Sequence, residues 1–443
     1  MSESQACWSA DGKYIPSIDH HTKAKHKIIE KYIENLIIKL YGETRYGETR
    51  FTFIDGFCGG GMYKDEESKT IWAGSPIRII NAVREGYKKS KRKYPVPLNV
   101  KYIFIDSKKS HLNCLKNYSM GKAELEELTD EQPHYYEDEF GRRIEQCQFW
   151  KGEFEDLVNK CIFTVDCRKG HSFFLIDPFG WTDISMRSIR KINSLKGSEI
   201  LYTYMINYIK RFLSERYTSQ KHGFQDILEA DGYYEAANLE DFSMGEQCYL
   251  RDQSIKLFVE RGQSQYVFTF SLIPKGENLV LYYLMHLSKN LTALEVIKDC
   301  FEINNNLHYQ YHYEVYGYGF KTSRYYNENQ IDIEFDITKD SYNFCIDKLD
   351  SDVGKLIFDN PEGILVKDIL QKTMPLNPAN RRLYDEYINR YVSEKELEVW
   401  REGKPLRSKQ IKLRRKDVIK VASSYQFSLL KQSKFFPKCL GES

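Results

Sequence analysis

The sequence predicts an α/β protein, a doubly wound and mostly parallel sheet, followed by a smaller α+β domain at its C-terminal end. Three observations carry this. Continuous apolar strands alternate with helical patterns, the signature of a parallel sheet covered on both faces. Three of those strands, in FIDGFCGGGMY, YIFIDSKKSHLNCL and FFLIDPFGW, stop on an aspartate, at Asp55, Asp106 and Asp177. From Lys355 onward the pattern changes to short helices that run into a basic, glycine-containing stretch.

The elements follow in order. Ile28, Ile29, Tyr32, Ile33, Leu36, Ile37 and Leu40 recur at helical spacing and predict one amphipathic helix over 22–40. Next come the strand RFTFID, a glycine loop, and a helix through PIRIINAVREGYKKS, with Ser75 as its cap and Pro76 in its first turn. YIFID is the second strand, followed by a helix over 109–117 and an acid-rich loop. CQFWKGEFEDLV, the run SFFLID, the helix DISMRSIRKINSL and the strand EILYTYMI continue the alternation. QYVFTFSLIPKGENLVLYYLMHL reads as a hairpin turning at Lys275 and Gly276, an antiparallel edge to the sheet.

The chain has 443 residues, and at roughly 100–200 residues per domain it holds two or three. The expected division is a first domain over 1–300, a tyrosine-rich connector or insertion over 301–350, and a basic winged-helix-like domain over 351–443. In that last part VKDILQKTM and ANRRLYDEYINRYVSE predict helices, and LEVWREGKPLRSKQIKLRR a hairpin with its basic residues on the wing.

With 41% hydrophobic and 14% aromatic residues the chain can bury a core, which excludes a disordered class. Its net charge of +2 excludes a wholesale polyanion binder, but from Arg401 to Ser443 twelve Lys/Arg face three Asp/Glu. Lys409, Lys412, Arg414 and Arg415 concentrate that excess and are candidate contacts to nucleic-acid phosphates. The ten cysteines form no CxxC pair and no Cys/His cluster, so no metal site is expected. No apolar signal core and no run of about 18 apolar residues occurs, so the expectation is a cytoplasmic protein without membrane contact.

In open α/β sheets a ligand binds outside the carboxyl ends of the strands. Asp55 and the glycines after it form a sharp turn there, yet match neither GxGxxG nor GxxxxGK[ST]. An acid followed by glycines suits a ligand with an amino group and a ribose, and Asp106 would accept from two ribose hydroxyls. Together these fit S-adenosylmethionine (SAM). At FFLIDPFGW, Pro178 biases Asp177 towards an extended backbone and leaves carbonyls facing the crevice. Accepting both hydrogens of a base's exocyclic amine there would aim its lone pair at a methyl group, catalysis by positioning. Phe179 or Trp181 would stack on an extruded base.

FIDGFCGGGMY, AGSPIRII, FFLIDPFGW and HHTKAKHKIIEKY together resemble the three-Cys-motif partner family, over about residues 20–300. The resemblance implies a Rossmann-like fold of the class I SAM-dependent methyltransferase type and a neighbouring protein that carries the cysteine motif. It implies a cofactor loop at Asp55, Gly56, Phe57, Gly59 and Gly61, a ribose acid at Asp106, and catalytic residues at Asp177, Pro178 and Phe179. Asp177-Pro178-Phe179 is similar to the [DN]PP[YF] motif of adenine amino-methyltransferases, and closer to the DPFG of enzymes acting on the guanine amine in transfer RNA. Two departures stand out: one proline where the adenine enzymes have two, and Phe57-Cys58 where a glycine is common. The expected function is methylation of a base's exocyclic amine. The alternative is a non-catalytic SAM- or nucleotide-binding partner protein recruited through its C-terminal domain. His20, His21, His26 and Lys23 crowd one end of the first helix as further candidates, and Cys58 has no identifiable base beside it.

Overall fold

The computed structural model describes residues 7–90, 96–178, 183–206, 223, 225–234, 246–273, 280–303, 318–321, 345–408 and 410–422. The chain divides into two compact units, the first made chiefly of residues 1–306 and the second chiefly of residues 327–443.

In the first unit the strands are β1 (Thr49–Asp55), β2 (Met62–Asp65), β3 (Thr70–Ala73), β4 (Leu98–Asp106), β5 (His134–Asp138), β6 (Gly141–Lys151), β7 (His171–Ile176), β8 (Ser198–Tyr204), β9 (Tyr266–Ile273) and β10 (Tyr282–Ser288), and a further strand β11 (Tyr318–Lys321) adds to their sheet. The helices that pack around them are α1 (His20–Glu43), α2 (Ser75–Lys89), α3 (Lys109–Cys114), α4 (Met120–Lys122), α5 (Phe154–Arg168), α6 (Met186–Ser194), α7 (Glu246–Glu260) and α8 (Leu291–Ile303).

Nine strands form one sheet in the order β11-β9-β10-β8-β7-β1-β4-β6-β5. β1 pairs in parallel with β4 on one side and β7 on the other, β4 with β6, and β7 with β8. The chain therefore runs outward from β1 through β4 and β6, then returns to β7 on the opposite side of β1. That reversal makes the carboxyl ends of β1 and β7 the topological switch point. Every residue of β8, β9 and β10 is buried, as continuous apolar runs require. β10 runs antiparallel to both β8 and β9, so the expected antiparallel hairpin is present; its turn at Lys275 and Gly276 lies outside the described residues. The hairpin is not the edge of the sheet, because β11 lies outside β9.

Helix α1 buries Ile28, Ile29, Tyr32, Ile33, Leu36 and Ile37 of the face its spacing predicts and leaves Leu40 half-buried, and Asp19 caps it by accepting from the Thr22 amide at 2.6 Å. The buried Tyr32 hydroxyl ties the helix to the sheet, bonding to Glu199 on β8 and lying 3.1 Å from His286 Nε2 on β10. α2 crosses α1 closely at Gly86, where a Cβ would stand 2.8 Å from the Glu34 carbonyl.

Three sequence expectations need correcting. The cap of α2 is Gly74, in extended conformation, while Ser75 is the first helical residue and Pro76 follows it. The Gly74 amide is held by the Gly61 carbonyl at 2.8 Å, which fixes the helix start one residue early and leaves the Ser75 hydroxyl for other work. Between the glycine loop and α2 the chain makes a hairpin, β2 with β3, that no alternation announced. The acid-rich loop also contains β5, paired antiparallel with β6.

In the second unit α9 (Lys355–Phe358), β12 (Ile364–Leu365), α10 (Val366–Thr373), α11 (Arg381–Ser393), β13 (Leu397–Arg401), β14 (Lys404–Pro405) and β15 (Val418–Val421) follow one another. The strands form an antiparallel sheet in the order β12-β15-β13-β14. Asn380 caps α11 by accepting from the Leu383 amide at 3.1 Å. Lys412, Arg414 and Arg415 lie on the connection between β14 and β15 rather than on the hairpin strands, and Lys409 lies outside the described residues. Most of the tyrosine-rich 301–350 stretch is also outside them.

Candidate functional site

β1, β4 and β7 run side by side, so their parallel register brings Asp55, Asp106 and Asp177 to one end of the sheet. The loop after β1 sits astride the switch point. Its Gly56 amide donates to the Leu175 carbonyl on β7 at 2.9 Å, and its Cys58 amide to the Ile105 carbonyl on β4 at 2.9 Å.

Asp106 clamps that loop. Its carboxylate accepts from the Gly59 amide at 3.1 Å and from the Lys108 amide at 2.8 Å, with His111 Nδ1 at 3.1 Å. Gly59 and Gly61 take positive φ, +59° and +81°, which a residue with a side chain rarely adopts.

The space that side chains would occupy on the loop is filled from within the protein. A Cβ on Gly59 or Gly60 would stand 2.8 or 2.2 Å from the Trp8 indole, and one on Gly61 2.5 Å from Leu115. On Gly56 it would meet Phe154 at 2.8 Å, whose ring lies 5.9 Å from that of Phe57. The glycines thus answer first to internal packing. Trp8 is only 3% exposed; its Nε1 donates to the Met62 carbonyl at 2.6 Å and its ring meets His111 edge-on at 4.8 Å.

Asp55 is 1% exposed. Its Oδ1 accepts from the Phe57 amide at 3.2 Å, and its Oδ2 is buried without a hydrogen-bond partner. Burial pushes its carboxyl up to about 7; Ser75 and the Phe57 amide oppose the rise, and Asp177 and Asp106 add to it. A buried acceptor poised between its two protonation states near neutral pH suits a cationic group, whose arrival would draw the proton off.

Asp177 follows β7 with a third of its side chain accessible. Lys25, projecting from α1, donates to both its oxygens at 2.8 and 2.7 Å and is itself 10% exposed. Burial alone would raise the Asp177 carboxyl, but Lys25, Thr203 and His26 outweigh it and hold it below the usual carboxylate range. The neighbouring His26 is buried and neutral: burial, Arg78 and Lys25 push it down to about 3, and its Nδ1 accepts from the Trp72 indole at 3.0 Å.

The other candidates are placed less centrally. Pro178 is buried beside Asp177, while Phe179 and Trp181 lie outside the described residues. His20 pairs with Glu67 at 2.7 Å, His21 with Asp19 at 3.1 Å, and Lys23 with Asp65 at 2.8 Å, so these three serve the start of α1 and its contact with β2. Cys58 is buried, and burial, Asp55 and Asp106 hold its thiol protonated, the opposite of a nucleophile's environment. Among the described residues no group of His, Cys, Asp and Glu is arranged to hold a metal ion.

Sequence reasoning missed Trp8 and Lys25. Lys25 lies inside the quoted HHTKAKHKIIEKY, but it reaches Asp177 across 152 positions, which no local pattern encodes. Trp8 had one signal, a lone large aromatic in the polar N-terminal stretch ACWSADGK.

No family model matches this sequence, and no curated protein matches it. Among solved structures the chain is similar to the crystal structure of protein LPL1258 from Legionella pneumophila str. Philadelphia 1, of the DUF519 family model. That similarity has 9% identity and a TM-score of 0.26, and covers 46% of this chain and 74% of that one. A likeness of this size carries no argument about fold or function.

Proposed function

We propose that this protein is a SAM-dependent methyltransferase acting on the exocyclic amine of a nucleic-acid base, of the class I type and akin to the three-Cys-motif partner family. The observation that carries the reading is the set of three acids around the switch point, with the Asp55 Oδ2 buried and unpartnered. SAM supplies an electrophilic methyl on a sulfonium and carries an ammonium group and a ribose. Asp55 would accept the ammonium, the glycine loop through Gly61 would cradle the amino-acid end, and Asp106 would face the ribose. Asp177 would hold the substrate amine, keeping its hydrogens engaged and its lone pair free. The test is incubation with methyl-labelled SAM and mixed RNA and DNA, alone and with a neighbouring three-Cys-motif protein. Label incorporated by the wild type and lost without Asp177 supports the reading; SAM binding without transfer to any nucleic acid overturns it.

One observation favours a second reading, a SAM- or nucleotide-binding partner protein without turnover. Both oxygens of Asp177 are already held by Lys25, as a retired catalytic carboxylate would be. In that reading Asp177→Asn leaves every cellular function of the protein intact.

The ribose assignment has its own check. Asp106→Ala removes a charge-assisted acceptor and also frees the Gly59 amide, so SAM affinity measured by calorimetry falls about tenfold or more. An unchanged dissociation constant in a folded variant removes Asp106 from the cofactor site.

The second unit fits a winged helix that contacts nucleic acid. Short helices precede its antiparallel strands, and a groove of about 500 Å³ beneath the β14–β15 connection is lined by Arg401, Arg407, Lys412 and Arg414. Arg401 is committed to Asp417 at 2.8 Å, whereas Lys412 and Arg414 extend from exposed positions. Neutralising Lys409, Lys412, Arg414 and Arg415 together weakens binding to all sequences alike. It also lowers the slope of log affinity against log salt by roughly 0.7–0.9 per lost contact. Unchanged nucleic-acid affinity with lost co-purification of the partner would instead assign this surface to complex assembly. The free cysteines of the described residues fit a reducing, cytoplasmic setting, and among those residues no helix is long and apolar enough to cross a membrane.

A further inference from the structure

The geometry points to Lys25 and Asp177 acting as one donor–acceptor reader of a base's pairing edge, selecting a base whose exocyclic amine adjoins an unprotonated ring nitrogen on that edge. On that edge the description fits adenine and cytosine and not guanine, whose unprotonated N3 flanks the amine on the opposite, sugar-facing edge. The inference rests on the methyltransferase reading and deepens it by naming the substrate class.

Hydrogen-bond capacity is the first part of the argument. A carboxylate offers about four acceptor positions and an ammonium three donors. Lys25 spends two donors on the two Asp177 oxygens, at 2.8 and 2.7 Å, which leaves one N–H on the ammonium and acceptor positions on the carboxylate. A third of the Asp177 side chain is accessible, so acceptor positions on it remain open, with the Lys25 ammonium within 2.8 Å of both its oxygens.

Rigidity is the second part. A reader must hold its two groups in register, and α1, which carries Lys25, is pinned to β8 and β10 through Tyr32. The other charges around the pair are accounted for. His26, next on α1, accepts from Trp72 and is neutral; Lys23 is paired with Asp65; Arg78 on α2 stacks 4.3 Å over Trp72 and pairs with Glu30. From β1 Asp55 faces Asp177, from β2 the half-buried Tyr63, and from β8 Thr203. Among these described groups Lys25 is the cation committed to Asp177.

The pairing edge of the base decides the rest. Adenine presents its amine beside N1, and cytosine its amine beside N3, an acceptor that the Lys25 N–H would meet while Asp177 takes the amine hydrogen. On that edge guanine presents N1–H beside its amine, a donor that would face the ammonium with neither satisfied; its N3 acceptor lies on the amine's other side, on the edge that carries the sugar. Sites built on hydrogen bonds reject such a mismatch strongly.

The experiment uses thymine-only DNA and uracil-only RNA oligonucleotides, which lack exocyclic amines, each carrying one adenine, cytosine or guanine. Methyl transfer from labelled SAM and oligonucleotide binding by fluorescence anisotropy are both read, for the full-length wild type, Lys25→Arg and Lys25→Met. The expected result is adenine or cytosine preferred over guanine by about tenfold or more in the wild type. Lys25→Arg should retain the preference and Lys25→Met should lose it. A merely structural role for Lys25 would lower all transfers equally and leave the ranking intact, which overturns the inference, as does guanine matching or exceeding the others. The wild-type ranking decides even if Lys25→Met does not fold. If the wild type binds SAM and methylates none of the oligonucleotides, the proposed function falls and this inference with it, a pattern distinct from transfer with the wrong ranking.

Discussion

Asp177→Ala abolishes methyl transfer while leaving SAM affinity within a few-fold of the wild type. The carboxylate is assigned to the substrate amine, so its loss removes positioning worth on the order of a hundredfold to a thousandfold in turnover, the usual scale for one preorganised polar group. The cofactor contacts, at Asp55 and along the glycine loop, do not include it. A complication follows from Lys25, whose side chain is 10% exposed and whose ammonium would be left without its counter-ion. Breaking one side of a buried pair typically costs about 3–5 kcal/mol, so part of the lost activity in the single variant would be lost protein. The double variant Asp177→Ala/Lys25→Met removes both charges and restores the fold without restoring transfer. Normal transfer by either variant, with melting temperature and SAM calorimetry as controls, would sink the base-amine mechanism.

The second large effect is on stability. Trp8→Ala costs about 3–5 kcal/mol, the range for deleting a fully buried large aromatic. Its indole covers Gly59 and Gly60, bonds to the Met62 carbonyl and packs on His111, which in turn touches Asp106. The cavity would open directly under the loop that Asp106 holds, so SAM binding should weaken along with the melting temperature. Trp8→Phe keeps much of the area and loses the hydrogen bond, and should fall between. A melting temperature unchanged in Trp8→Ala would mean that the N-terminal segment does not seat on the loop in solution.

These two sites illustrate what a sequence can reveal and what it cannot. The runs ending at Asp55, Asp106 and Asp177 were legible because a strand buried on both faces must be apolar throughout, which leaves a polar terminus conspicuous. Helix α1 was legible from its repeat. The hairpin of β2 and β3 was not: MYKD and TIWA are short, and β3 is half exposed, so neither gives a run nor a clean alternation. The start of α2 was misplaced by one residue because the Gly61 carbonyl, thirteen positions upstream of Gly74, decides it. Lys25 and Trp8 depend on contacts across the sheet end, where residue type says only that a lysine or a tryptophan is present. Nor was it legible that the side-chain positions the glycines leave empty are filled by Trp8, Leu115 and Phe154.

The strand order has a consequence for how the chain is made. β1 emerges early, yet one of its two partners, β7, begins at His171, more than a hundred residues later. At about 5–20 residues per second of synthesis, the flank of β1 that faces β7 stays unpaired for on the order of ten seconds. During that interval the apolar run RFTFID presents open backbone donors and acceptors on its Phe51–Asp55 side, a template for association with other nascent chains. Ribosome-stalled chains ending before His171 should therefore be protease-sensitive and bind chaperones. Chains that extend past β8 and clear the exit tunnel should lose both properties together, since closing the centre of the sheet is a single long-range event.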